Sequence, residues 1–182
     1  MIAGFREAHF GMTEDQVREA IKKDFPAAAA KLKVTTHSTE KTVVLSLLVP
    51  DLLPHTGSAR VSYILGYKSK KLIQVNIFWT SEGTEDGDEI VIGVANSLRD
   101  YFAAQNYKPD SVVVNRQLAE NTMLVFRASD SQNRTVVAVL SGVGEAARKD
   151  EKAPRPPPLA LELSYIADAA HPDVFKIGKG QF

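Results

Sequence analysis

Cysteine is absent from the 182-residue sequence. A thiol nucleophile, a disulfide, a cysteine-ligated zinc ion and an iron–sulfur cluster are therefore all excluded. A net charge is absent too, because 22 lysine and arginine residues balance 22 aspartate and glutamate residues. Such a chain has no overall field that attracts a polyanion, and we therefore expect no nucleic-acid partner.

Long apolar runs are also missing. No segment approaches the ~20 consecutive apolar residues of a membrane-spanning helix, so we expect no transmembrane segment. The first residues lack the basic stretch followed by an apolar stretch that marks a secretory signal peptide. A chain that begins after a removed signal peptide would look the same. The sequence therefore leaves both an exported and a cytoplasmic location open.

Motifs for catalysis and for metal binding are scarce. The four histidines, at positions 9, 37, 55 and 171, show none of the HxH, HxxxH or HExxH spacings that bring two imidazoles to one metal ion. A P-loop and a G-x-S-x-G nucleophile motif are absent as well. The sequence therefore predicts a protein that is not an enzyme and that holds no cofactor and no metal ion.

Two alternatives to that prediction stay open. The acidic cluster Glu82–Glu89 supplies the oxygen ligands that Ca²⁺ prefers, although it lacks the residue order of an EF-hand loop. An enzyme site assembled from distant segments is the other alternative. It requires a cleft in which His37 or His55 faces a carboxylate.

The segment 10–26 carries a complete set of helix signals. Thr13 is the predicted N-cap, and Gln16, three residues later, completes a capping box. Acidic residues follow in the first turn and lysines in the last, which suits the helix dipole. Pro26 ends the predicted helix.

From Val34 onward, apolar residues recur with period two, which is typical of half-buried strands. A second helix of about 20 residues is predicted from Asp86, with Glu89 as its capping partner. Two groups of strands flank this helix; the predicted strands are 43–49, 59–67, 73–79, 111–117, 122–128, 134–140 and 159–165. The order predicts an α+β fold, in which a helix followed by antiparallel strands is repeated approximately twice. We expect the helices to pack on one face of the antiparallel sheet.

The two halves of the chain share a short echo. Residues 61–64 read VSYI and residues 163–166 read LSYI. The sequence predicts a single compact domain over 1–182, and it leaves open a division into two similar αβ subdomains at about 1–80 and 81–182. Residues 141–158 are polar and charged and end in three prolines, which predicts an exposed flexible loop.

One hairpin combines aromatic and basic side chains. Its strands carry Tyr63, Tyr67 and Trp79, and its predicted tip carries Lys70. Aromatic and cationic side chains are enriched where proteins bind their partners. We therefore predict these four residues as a binding patch.

The segment FGMTEDQV at 10–17, continued to Pro26, resembles the G-M-T-x-x-x-V-x-x-x-(L/I) signature of small outer-membrane-assembly lipoproteins of bacteria and of the related β-lactamase-inhibitor-protein-like fold. The resemblance covers about one tenth of the chain. It implies a capped helix followed by antiparallel strands, a location in the cell envelope, and a binding role without catalysis. No functional residues carry over from it.

Together these features predict a non-catalytic exported protein, periplasmic or otherwise in the envelope. It would bind a protein or an envelope component as an adaptor, through a sheet face or a sheet edge. The alternative is a module that binds a small molecule or a metal ion, with the ligand between the sheet and a helix. The dispersed histidine and carboxylate enzyme is the second alternative.

Overall fold

The computed structural model of the chain describes residues 1–144 and 157–178. A small two-stranded sheet of β1 (Gly4–Phe5) and β2 (Ala8–His9) precedes the helices α1 (Glu14–Asp24) and α2 (Pro26–Ala29). The strands β3 (Lys33–Thr36), β4 (Val43–Val49), β5 (Ala59–Leu65) and β6 (Leu72–Thr80) follow. After helix α3 (Gly87–Ala103) and a 3-10 turn (Pro109–Ser111) come β7 (Val113–Ala119), β8 (Thr122–Ser129), β9 (Thr135–Ser141) and β10 (Ala160–Ile166).

Eight of these strands form one antiparallel sheet in the order β3-β4-β5-β6-β10-β9-β8-β7. The last strand of the chain, β10, pairs with β6 at the centre, where Leu163 lies opposite Ile77. Strands from both halves of the sequence therefore share one hydrogen-bonded sheet, and the predicted α+β class with an antiparallel sheet is confirmed. The predicted division near residue 80 stays a prediction.

Alternation along the strands gives the sheet one buried and one open face. On the open face Leu48, Arg60, Phe78 and Glu162 lie in one row across β4, β5, β6 and β10. Leu48 in that row is 61% exposed. The buried face carries a row of almost fully enclosed apolar side chains: Leu47, Val61, Ile77, Leu163 and Ala138.

The capping box predicted for α1 is present. The Thr13 backbone N–H donates to Gln16 Oε1 at 2.9 Å, and the Gln16 backbone N–H donates to Thr13 Oγ1 at 3.5 Å. Val17 of the apolar stripe is fully buried. Pro26 ends α1 and starts the single turn of α2, because a proline is tolerated at the first helical position.

The start of α3 differs from the prediction. Asp86 precedes the helix, but it adopts a left-handed conformation (φ 55°) and its side chain makes no capping hydrogen bond. The reason is close packing at the next residue, since a Cβ atom at Gly87 would lie 2.5 Å from the Ser81 carbonyl oxygen. The helix has 17 residues and ends at Ala103, a little short of the predicted length.

The predicted loop at 141–158 is only partly described. Ser141 is the last residue of β9, and residues 142–144 and 157–158 have no regular secondary structure. The rest of the predicted loop, residues 145–156, lies outside the described residues.

Candidate functional site

A cavity of about 350 Å³ lies over the two central strands of the sheet. Its floor is formed by Ile77 and Trp79 of β6 and by Leu163 and Tyr165 of β10. These side chains share one face because each pair is two residues apart on its strand. The pairing of β6 with β10 therefore assembles the floor from segments almost ninety residues apart in the sequence.

Three further segments form the walls of the cavity. The β1–β2 hairpin contributes Phe5 and Arg6, and the loop between β4 and β5 contributes Leu52 and Leu53. The third wall is one side of α3, where two adjacent residues and the two that follow them one turn later line the cavity: Ser97, Leu98, Tyr101 and Phe102.

Aromatic contacts join these walls to the floor. The ring of Tyr165 lies 5.8 Å from that of Phe5 and 6.2 Å from that of Phe102, measured between centroids. Phe102 also stacks on Phe126 of β8 at 5.7 Å. Such ring pairs hold neighbouring elements in a defined geometry. The hairpin and α3 are thus fixed on either side of Tyr165.

Trp79 is the one tryptophan of the sequence, and its side chain is 2% exposed. Its indole Nε1 is buried and has no hydrogen-bond partner among residues 1–144 and 157–178. Buried polar groups in folded proteins are nearly always hydrogen-bonded, and leaving one unpaired costs about 1–3 kcal/mol. The indole N–H is therefore a buried donor that none of the described residues satisfies.

Arg6 lies at the turn of the β1–β2 hairpin in a left-handed conformation (φ 52°). Its guanidinium carbon is 4.7 Å from the ring centroid of Phe25 and 5.6 Å from that of Phe5. Within the described part of the chain, Arg6 makes no ion pair and no side-chain hydrogen bond. The guanidinium therefore contacts two aromatic rings, and this exposed side chain has no hydrogen-bond acceptor among the described residues.

Asp24, at the end of α1, is an acidic residue whose charge interacts with that of Arg6. The Asp24 Oδ2 atom accepts a hydrogen bond from the Glu7 backbone N–H at 3.2 Å, which ties the hairpin turn to α1. Burial raises the pKa of Asp24, while the hydrogen bond from Glu7 and the charge of Arg6 act in the opposite direction. Asp24 thus fixes the turn of the β1–β2 hairpin, which contains Arg6.

Two tyrosines beside this site are kept neutral. Burial raises the pKa of Tyr165, and it also raises the pKa of Tyr63, to which the Asp24 charge adds. Tyr63 Oη is a second buried polar atom without a hydrogen-bond partner in the described residues. Both phenols remain protonated at neutral pH, so neither provides an anionic nucleophile.

The four predicted patch residues do not form one exposed patch. Tyr63 and Trp79 lie on the buried face of the sheet and are 0% and 2% exposed. Tyr67 and Lys70 lie at the β5–β6 turn, where Lys70 Nζ is 5.3 Å from the Tyr67 ring centroid. The oily face of the hairpin, which carries both buried aromatics, is the covered one, so Tyr63 and Trp79 lie apart from the turn with Tyr67 and Lys70. A binding role for Tyr67 and Lys70 stays a prediction.

Most of this cavity was not predicted from the sequence. Of its lining residues, only Trp79 was among the predicted site residues. The lining residues on α3 lie in the second predicted helix. Its apolar spacing was the one sequence feature that indicated which side of this helix would face the sheet. Arg6 gave no signal, because a lone arginine in a short lead-in segment is not distinctive.

The remaining sequence candidates lie in separate parts of the described structure. His37 Nδ1 accepts a hydrogen bond from the Glu40 backbone N–H at 3.1 Å, and His55 is exposed on the β4–β5 loop. Residues 1–144 and 157–178 contain no group of three or more histidine, aspartate or glutamate side chains placed to hold a metal ion, and this range includes Glu82–Glu89. Among these residues there is also no helix with the length and apolarity needed to cross a bilayer.

Comparison of the chain with protein-family models, with curated proteins and with solved structures found no match.

Proposed function

We propose that this chain is a non-catalytic binding protein and that it holds an apolar small molecule in the cavity between α3 and the central strands. The observation that carries the proposal is the cavity itself, with its apolar lining and the unpartnered indole N–H of Trp79. A volume of about 350 Å³ is at the lower end of the range for ligand pockets. This position, between the sheet and a helix, is the one that the small-molecule alternative of the sequence analysis requires.

The lining sets the expected strength of binding. Each methylene group transferred from water to such a site contributes about 0.8 kcal/mol. A ligand with about ten carbons therefore gains roughly 8 kcal/mol, from which its lost motion must be subtracted. We expect dissociation constants in the micromolar to millimolar range.

Blocking the mouth of the cavity tests the proposal. Ser97 is exposed and lines the cavity, so the Ser97→Phe variant places a ring in its mouth without disturbing the core. We expect a neutral fluorescent probe, N-phenyl-1-naphthylamine, to bind the wild-type chain saturably and the variant at least tenfold more weakly. The titration is followed by probe emission and by the fluorescence of Trp79.

The control is Asn96→Phe, one residue earlier on α3, which is exposed and outside the cavity lining. It should bind the probe as the wild type does. Equal affinity of the two variants would contradict the proposal, as would a folded wild-type chain that binds no probe.

A second candidate function is the adaptor role through a sheet edge. It is supported by β7, an edge strand in which six of the seven residues are exposed. Val114 and Leu118 on this strand are 42% and 54% exposed. A long edge with exposed apolar side chains suits an added strand from an extended peptide.

Peptide selection tests this second candidate. Panning a random peptide library against the wild-type chain should give extended apolar sequences, and their affinity should fall at least tenfold for Val114→Lys. Charge on an edge strand opposes such pairing. A selection that returns no sequence sensitive to Val114→Lys would count against the edge as a binding site.

The finer plan of the fold is also a proposal. It is supported by the element order, in which α1 precedes β3–β6 and α3 precedes β7–β10, with β6 and β10 side by side. The echo at 61–64 and 163–166 does not add support, because it lies on β5 and β10, which hold different places in the two halves. Packing of both helices on one face fits the burial of Val17 on α1 and Phe102 on α3.

Export to the bacterial envelope is a further proposal. Its support is the resemblance of residues 10–26 to the envelope lipoproteins and their relatives. The intact mass of the protein isolated from its source, compared with that of its primary translation product, tests it. A mature chain with no segment removed, found in the cytosol, would contradict it.

A further inference from the structure

Among the described residues, Arg6 is the one charged side chain that lines the cavity. The rest of the described lining is apolar or aromatic apart from the Ser97 hydroxyl, and it includes no carboxylate. Asp24 acts on Arg6 through space, but its carboxylate is not within ion-pair distance. The wall of the cavity formed by the hairpin therefore presents a cation without a contacting anion in the described residues.

The packing of Arg6 leaves its hydrogen-bonding edge available. The guanidinium carbon lies over the rings of Phe25 and Phe5, and neither ring accepts a strong N–H hydrogen bond. A guanidinium offers five donors in a rigid fork that matches the two oxygens of a carboxylate. The two ring contacts restrict the exposed Arg6 side chain, and the hydrogen bond from the Glu7 backbone N–H to Asp24 anchors the turn that carries it.

Arg6 and Trp79 lie toward opposite ends of the cavity. Phe5 contacts Tyr165, which pairs with Val75 of β6, whereas Trp79 lies four residues further along the same strand. At 3.3 Å per residue this separation is roughly 13 Å. A single-chain molecule placed along β6 would have its anionic end at Arg6 and its tail over Ile77 toward Trp79 and Leu52.

We propose that the ligand of this cavity is a single-chain amphiphile with an anionic carboxylate head, which the Arg6 guanidinium binds while the apolar tail lies over the central strands. The inference rests on the proposed function and specifies the ligand for the same cavity. The volume of the cavity suits one medium-length chain. The charge of Arg6 sets the preference for an anion over a neutral or cationic head of the same chain length.

Three ligands with the same tail test the head-group preference. Decanoate, decanol and decyltrimethylammonium are each used to displace N-phenyl-1-naphthylamine from the wild-type chain, below their micelle concentrations. We expect decanoate to bind about tenfold more tightly than decanol, which is the gain typical of one charge-assisted contact. Decyltrimethylammonium should bind most weakly.

Substitutions at Arg6 then test whether this residue causes the preference for decanoate. In Arg6→Gln the advantage of decanoate over decanol, taken as the ratio of the two dissociation constants in the same variant, should disappear. Arg6→Lys should keep part of the advantage, because it keeps the charge but not the fork. The control is Arg60→Gln, which removes an exposed arginine on the open face of the sheet, and it should behave as the wild type does.

The outcomes separate the two proposals. If decanol and decanoate bind the wild-type chain equally, the head-group inference is overturned and the binding cavity stands. An advantage of decanoate that survives in Arg6→Gln overturns the role of Arg6. If none of the three displaces the probe from a folded chain, both the inference and the proposed function fail for single-chain ligands.

Discussion

The Phe126→Ala variant is expected to lose about 3–5 kcal/mol of unfolding free energy, the range for truncating a buried aromatic side chain. Phe126 is 0% exposed, and its ring lies 5.7 Å from that of Phe102 on α3 and 5.8 Å from that of Tyr107. Its removal leaves a void between β8 and α3 and takes away the contact that holds the helix on this side of the sheet. The loss is a large fraction of the 5–15 kcal/mol by which native proteins are stable.

Urea unfolding followed by circular dichroism measures this loss. The matched control is Val114→Ala on β7, which removes methyl groups from a side chain that is 42% exposed. It should change the unfolding free energy by about 0.5 kcal/mol or less. A loss below about 1 kcal/mol in Phe126→Ala would show that Phe126 is not packed as described.

The second large effect is expected at Asp130, a carboxylate that is 3% exposed. Asp130 Oδ2 accepts a hydrogen bond from the Ile2 backbone N–H at 2.8 Å. Asp130 Oδ1 accepts from the backbone N–H groups of Gln132 at 2.9 Å and Arg134 at 3.1 Å. One side chain thus orders the β8–β9 turn and ties the N-terminal segment to it.

Asp130→Ala should cost about 2–4 kcal/mol, because hydrogen bonds to a charged group are lost and buried amides are left unpaired. Asp130→Asn should cost less, since it keeps an acceptor oxygen for Gln132 and Arg134 and loses the bond to Ile2. Both losses of unfolding free energy are to be measured by denaturant unfolding. Because the N-terminal segment leads into the hairpin that carries Arg6, both variants should also bind the neutral probe more weakly. Equal stability of Asp130→Ala and the wild type would refute this tether.

Some local structures in this chain form as their local sequence predicts, and others are decided by tertiary packing. The capping box of Thr13 and Gln16 forms as predicted because its two hydrogen bonds depend only on residues three positions apart. Asp86 carries a similar signal, yet its side chain does not cap α3. Tertiary packing of Gly87 against Ser81 decides the backbone there, and no local pattern contains that contact.

The strands show the same division between local and distant causes. Period-two alternation identifies β8, but Leu124, Val125 and Phe126 are all buried, because a bulge between β8 and β9 shifts the register at this point. The pairing of β6 with β10 also has no local signal, since it joins residues almost ninety positions apart. The β6–β10 pairing and the placement of the β1–β2 hairpin create the cavity. Because neither has a local signal, the cavity could not be predicted from the sequence.

Binding of an apolar ligand in the cavity over β6 and β10 can be followed at Trp79. As the one tryptophan of the chain, Trp79 gives a single indole N–H signal in a ¹H–¹⁵N correlation spectrum of the labelled protein. On titration with decanoate we expect a saturable shift of this signal, with ligand-to-indole nuclear Overhauser effects, while the backbone amide of Val114 at the distant sheet edge stays in place. An indole signal that does not move while decanoate binds elsewhere would show that the cavity is not the binding site.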